Sequence, residues 1–182
     1  MEIIKELTKG LYLIKPKVFE DERGYFMESY QKKVFENIGL NIDFVQDNES
    51  CSKKGVIRGL HFQNPPFSQI KLIRVVSGSV FDVAVDIRKD SPTYGQWFGE
   101  VISADNKLMF LISEGFAHGF QALEDNTIFQ YKCSNYYNKE SEDSLLWNDE
   151  NINIEWKDIS PTLSAKDLES KTLKDFNSKF RY

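Results

Sequence analysis

The chain has 182 residues, 41% of them hydrophobic and 28% charged, with a formal net charge of −5. That length fits one domain spanning 1–182, and the ordinary globular composition excludes a disordered chain and a membrane protein. Basic residues are scattered among acidic ones, so a nucleic-acid partner is not expected and an anionic ligand needs a local basic pocket.

The first residues, MEIIKELTKGLYLIK, carry charges at Glu2, Lys5, Glu6 and Lys9. Neither a signal-peptide core nor a spanning helix tolerates that spacing, so no membrane association is expected and the cytoplasm is the expected location. Cys51 and Cys133 lie in no CxxC pair and read as buried, reduced thiols rather than a disulfide framework.

From about Leu11 to Ser134, short β-type runs alternate with turn signals: GLYLIK, GYFMESY, DFVQDNES, GVIRGLHF and their successors as far as TIFQYKCS. This pattern predicts an all-β domain, sandwich or barrel. A helical stretch over Gln31–Ile38 ends at Gly39. A hairpin is predicted from Ile70–Val76 through a Ser77-Gly78 turn to Val80–Ile87. In its second strand, Phe81, Val83, Val85 and Ile87 share one face, and Asp82, Ala84 and Asp86 the other. A face carrying carboxylates is either solvent-exposed or lines a wet pocket. The segment Asn135–Lys157, with Tyr136, Tyr137, Trp147 and Trp156, reads as loop plus short strands placed to lid a site. Ser164 reads as the N-cap of a helix over Lys166–Phe176. Helices are peripheral on this reading.

Histidine occurs only at His61, in Arg58-Gly59-Leu60-His61-Phe62-Gln63, and His118, in Gly115-Phe116-Ala117-His118-Gly119-Phe120. A barrel metal site commonly draws on a His-x-His pair, and the second place here is Gln63. At most two imidazoles remain, fewer than zinc or non-haem iron sites usually use, so no metal is expected. No G-x-S-x-G elbow supplies a serine nucleophile, and nothing specific supports Cys51 as one. Proton transfer beside a carbonyl is the best-supplied chemistry. It needs a base, a cation for the enolate oxygen and an acid, for which His61, Lys71 and Tyr131 are candidates. Alternation places Arg58 and His61 on opposite faces of a regular strand, so either a bulge at Gly59 or action of Arg58 from the rim must reconcile them.

The ordered series Asp21-Glu22-Arg23-Gly24-Tyr25-Phe26, Gln46-Asp47-Asn48, Arg58 to Gln63, Lys71 to Val75, Phe81 to Arg88, Ser91-Pro92-Thr93-Tyr94-Gly95, Gly115 to Phe120, Tyr131-Lys132, Asn135-Tyr136-Tyr137 and Leu163 to Asp167 resembles the RmlC-type cupins, the dTDP-4-dehydrorhamnose 3,5-epimerase family. The resemblance covers nearly the whole chain. It implies a cupin or jelly-roll β-barrel with a few peripheral helices. The implied activity inverts C3 and C5 of a dTDP-linked 4-keto-6-deoxyhexose without a cofactor. His61 would be the base, Asp167 its orienting carboxylate, Tyr131 the acid and Lys71 the enolate holder. Arg23, Glu28, Gln46, Asn48, Arg58, His118, Glu142 and Lys166 match substrate-binding positions, and Tyr137 the residue that stacks on thymine. A homodimer is implied, with Arg23 reaching across its interface. The competing expectations are a mono-epimerase or 3,4-ketoisomerase on a related nucleotide sugar, a non-catalytic nucleotide-sugar-binding cupin, and, more remotely, a metal-dependent oxygenase.

Overall fold

A computed structural model describes residues 1–158 and 160–182. Its strands are β1 Glu2–Thr8, β2 Leu11–Lys15, β3 Val18–Asp21, β4 Gly24–Met27, β5 Gln46–Ser52, β6 Ile57–Gln63, β7 Lys71–Ser77 and β8 Ser79–Asp86. They continue as β9 Trp97–Ser103, β10 Met109–Ile112, β11 Phe116–Ala122, β12 Thr127–Cys133 and β13 Glu142–Ser144, with helices α1 Lys32–Asn37 and α2 Ala165–Leu168. One sheet has the order β1-β2-β10-β7-β12-β5 and the other β13-β6-β11-β8-β9, while β3 and β4 form a separate hairpin. The pairs within each sheet are antiparallel. Two such sheets face to face make the jelly-roll barrel of the cupin fold, as expected.

Strand alternation explains how the sheets pack. Leu11, Leu13, Ile73, Val75, Phe110 and Phe129 from the first sheet meet Val80, Ala84, Ile102, Phe116 and Phe120 from the second. The opposite side of β8, with Phe81, Val83 and Val85, and Ile87 just beyond its end, packs under the C-terminal segment through Phe176 and Phe180. Both faces of this strand are therefore buried. On its inner face Asp86 is satisfied by Arg88, Ser91 and Thr93, whereas Asp82 reaches His118. A third apolar layer, around Phe35, Leu72, Met109 and Leu111, seats α1 on the outside of the first sheet.

Two sequence expectations need correction. The strands around Gly78 do not form a hairpin: β7 pairs with β10 and β12, and β8 with β11 and β9. Gly78, at φ +75°, passes the chain from one sheet to the other, so that both strands offer apolar side chains to the same core from opposite sides. A Cβ at Gly78 would lie 2.5 Å from Thr127 Oγ1, which excludes a larger residue there. The helix expected over Lys166–Phe176 stops at Leu168. Beyond it the backbone is claimed by a neighbouring segment: Leu146 N–H donates to Lys171 O at 2.7 Å and Leu173 N–H to Asp149 Oδ2 at 2.5 Å. By contrast α1 runs within the predicted stretch, and Gly39 follows it at φ +86°.

Candidate active site

Between the sheets opens a cavity of about 590 Å³, lined among others by Asn48, Arg58, His61, Lys71, His118, Phe120, Phe129, Tyr131, Ser164 and Asp167. That volume suits a small ligand. Its position follows from alternation at the ends of β5, β6, β7, β11 and β12, whose inward residues become polar where the apolar core stops.

His61 enters from β6 because the strand bulges. His118 pairs with His61, yet Phe120 pairs with Arg58, so two residues of β6 oppose one of β11. The extra residue restores Arg58 to the same side as His61, and both line the cavity. Gly59 permits this at φ +131°; a Cβ there would lie 2.5 Å from Gly119 Cα. Arg58 is also exposed at the rim, where Nε donates to Ser52 Oγ at 3.1 Å.

The His61 ring is fixed by Asp167, with Nε2 and Oδ1 2.6 Å apart. The Asp167 side chain is 4% exposed and accepts Ser164 Oγ–H at 2.7 Å. Burial pushes the Asp167 carboxyl up, but the hydrogen bonds from His61 and Ser164 outweigh it and hold the group below the ordinary carboxylate value. A charged carboxylate fixes the proton on Nε2 and leaves Nδ1 with a free lone pair. Ser164 therefore both caps α2, as predicted, and secures the carboxylate.

Tyr131 and Lys71 come from the opposite sheet. Lys71 Nζ lies 5.9 Å from the centroid of the Tyr131 ring. Burial depresses the lysine's pKa, with Cys133, Asp82 and Glu142 pulling it back. Burial also pushes the Tyr131 phenol up to about 12, so it keeps its proton at neutral pH. His118 is held 2.9 Å from Asp82 Oδ1, and burial lowers its pKa. Asp82 is fully buried, and its Oδ2 has no hydrogen-bond partner among the described residues. Alternation puts Asp82 on the carboxylate-bearing face of β8, and the burial of that face in the structure is what gives it a partner in His118.

Of the remaining predicted residues, Gln46, Asn48, Tyr137, Glu142 and Lys166 form a connected set that starts from Asn48 on the cavity wall. Gln46 Nε2 donates to Asn48 Oδ1 at 3.0 Å, and Gln46 Oε1 accepts Tyr137 N–H at 2.9 Å. Tyr137 Oη–H donates to Glu142 Oε2 at 2.9 Å, which also holds Lys166 Nζ at 2.6 Å. These contacts hold the Glu142 carboxyl below its ordinary value despite partial burial. Arg23 and Glu28 are not brought to this site. Arg23 lies at the tip of the β3–β4 hairpin, its side chain 83% exposed and paired with Asp21, and Glu28 accepts from Gln31 Nε2 at 2.8 Å. Gln63, in the place of a second metal-binding histidine, directs its amide at backbone groups of neighbouring loops. Among the described residues no three His, Cys, Asp or Glu side chains are grouped to hold a metal ion, and no helix is long and apolar enough to cross a membrane.

A cupin barrel whose interior sets a carboxylate-fixed imidazole opposite a protonated phenol and a lysine is the framework of an isomerase-class enzyme. The model of the dTDP-4-dehydrorhamnose 3,5-epimerase family matches residues 6–175. The chain belongs to that family. It is 53% identical to the dTDP-4-dehydrorhamnose 3,5-epimerase of Shigella flexneri over 176 residues, covering 96% of this chain and 97% of that protein. Identity to the Salmonella typhimurium protein of the same name is 56% over 169 residues, 92% of each chain. The crystal structure of the Legionella pneumophila dTDP-6-deoxy-D-glucose-3,5-epimerase, in complex with dTDP-4-keto-L-rhamnose, superposes with a TM-score of 0.94 at 46% identity, covering 100% of this chain and 98% of that one.

Proposed function

We propose that this chain, acting as one catalytic domain in the cytoplasm, inverts C3 and C5 of dTDP-4-dehydro-6-deoxy-D-glucose to give dTDP-4-dehydro-L-rhamnose. The observation that carries this reading is the His61–Asp167 pair on one sheet's side of the cavity, facing Tyr131 and Lys71 on the other.

The C4 ketone acidifies the C–H bonds at both neighbouring carbons. His61 Nδ1 takes the C3 or C5 proton, the electron pair moves into the enolate, and Lys71 stabilises the charge on the C4 oxygen. Tyr131 then returns a proton to the opposite face of the carbon; its phenolate is reprotonated from solvent and the His61 imidazolium releases its proton to solvent, which resets both groups for the second carbon. Base and acid on opposite walls give inversion, whereas one base working on a single face would regenerate substrate. Because the substrate's own C4 ketone acidifies both C–H bonds, proton transfer alone accomplishes the isomerisation and the reading calls for no cofactor.

Arg58 and Lys166 bring cationic groups to the cavity and its rim, matching a diphosphate in a protein whose net charge is negative. Tyr137, 57% exposed, offers a ring for the thymine. The β3–β4 hairpin exposes Phe19, Tyr25 and Phe26 around Arg23, which supports its use as an arm crossing to a second copy of the chain in a homodimer. Incubation with dTDP-4-dehydro-6-deoxy-D-glucose followed by NMR of the product tests the reading. The L-lyxo product is expected; a product inverted at one carbon reduces the activity to mono-epimerisation, and unchanged substrate overturns it.

A further inference from the structure

Four successive backbone positions beside the cavity are held by three glutamine side chains. Gln69 Nε2 donates to Asn135 O at 2.8 Å, Gln63 Nε2 to Tyr136 O at 3.2 Å, Gln46 Oε1 accepts Tyr137 N–H at 2.9 Å, and Gln63 Oε1 accepts Asn138 N–H at 2.8 Å. Gln63 also donates to Phe67 O at 2.6 Å, and the residue is 5% exposed. It thus grips the peptide groups on both sides of Tyr137, whose own ring stays open to solvent. An exposed loop ordinarily pays conformational entropy to present an aromatic ring; a loop already fixed at each residue does not.

We propose that Gln63 is the positioning residue for the nucleobase platform, holding the Tyr136–Asn138 backbone so that the Tyr137 ring is set for stacking before the nucleotide arrives. This rests on the functional reading above and adds the side chain on which nucleotide affinity depends. It also gives Gln63 a role of its own at the place where a metal-binding cupin would carry histidine. An amide is suited to it, because the loop presents the Tyr136 carbonyl and the Asn138 N–H, the neighbouring segment adds the Phe67 carbonyl, and only a group with both polarities satisfies all three. In Gln63→Glu the carboxylate keeps the Asn138 contact but faces two carbonyl oxygens; in Gln63→Met all three contacts vanish with little change in volume.

The test measures dTDP affinity by calorimetry alongside steady-state kinetics. In Gln63→Met the Kd for dTDP and the KM are expected to rise roughly tenfold, with a smaller change in kcat. On a Tyr137→Ala background the same substitution is expected to add little, because it acts through that ring. Affinity equal to the parent's, or equal losses with and without Tyr137, would overturn the proposal. A parent protein that fails to bind dTDP at all would instead overturn the functional reading beneath it. Should the Gln63 variants not fold, amide hydrogen exchange of the parent decides: Tyr137 and Asn138 N–H are expected to be protected without ligand, and rapid exchange at both contradicts a preset loop.

Discussion

His61 and Tyr131 have separable duties if one removes the proton and the other returns it. His61→Asn is expected to lower solvent exchange at the substrate carbons roughly 100- to 10,000-fold while dTDP affinity stays within severalfold of the parent. Tyr131→Phe is expected to impair inversion more than exchange, because proton removal by His61 survives; NMR of substrate and product in D₂O reads both quantities. The residue types for this chemistry were legible in the sequence: the scarce His61, the strand-borne Lys71 and Tyr131, and the absence of a second histidine at Gln63. Asp167 was legible only through resemblance, since it lies 106 positions from His61 and no local pattern announces the pair. For Asp82 the sequence leaves open whether its face meets solvent or a wet pocket, and its contact with His118 depends on how β8 and β11 pair, which alternation alone does not determine.

Among the elements, β6 shows how a local irregularity serves the site. Parity alone set Arg58 and His61 on opposite faces, and the bulge at Gly59 resolves the conflict. Gly59→Ala would place a side chain at φ +131° and against Gly119, so it is expected to cost roughly 2–5 kcal/mol of stability in a denaturant titration. A cost below about 0.5 kcal/mol would contradict that account. The Ser77-Gly78 turn stands where the sequence signals it, but the strands it joins pair with other partners. Hairpin and inter-sheet turns share the same Gly signal, and only non-local packing tells them apart. The C-terminal helix is shorter than its sequence pattern for a related reason: Asp149 and Leu146 capture backbone groups that a longer helix would use.

On the scale of the whole molecule, buried carboxylates tie fold stability to pH. Burial raises the Asp86 carboxyl, but the bonds from Arg88, Ser91 and Thr93 prevail and hold it below its ordinary value. Asp167 is depressed in the same direction. A depressed folded-state pKa contributes stability above the unfolded value of about 3.9 and loses it as pH falls through the folded value. Denaturant midpoints are therefore expected to drop as pH falls below about 4, with a shallower acid limb in Asp86→Asn; an unchanged limb would exclude Asp86 as a contributor. Assembly has its own test. If Arg23 serves the partner's cavity, mixing inactive His61→Asn with impaired Arg23→Ala under exchange conditions is expected to restore about a quarter of the parent sites, since half the dimers then carry one intact site. No recovery would place Arg23 outside the partner's site.

If one cavity inverts two carbons through a shared enolate-stabilising group, each of those carbons exchanges its proton with solvent. Running the reaction in D₂O reads both exchanges at once. Deuterium is expected at both C3 and C5 of the product; label at a single carbon, or at neither, would overturn the two-centre inversion.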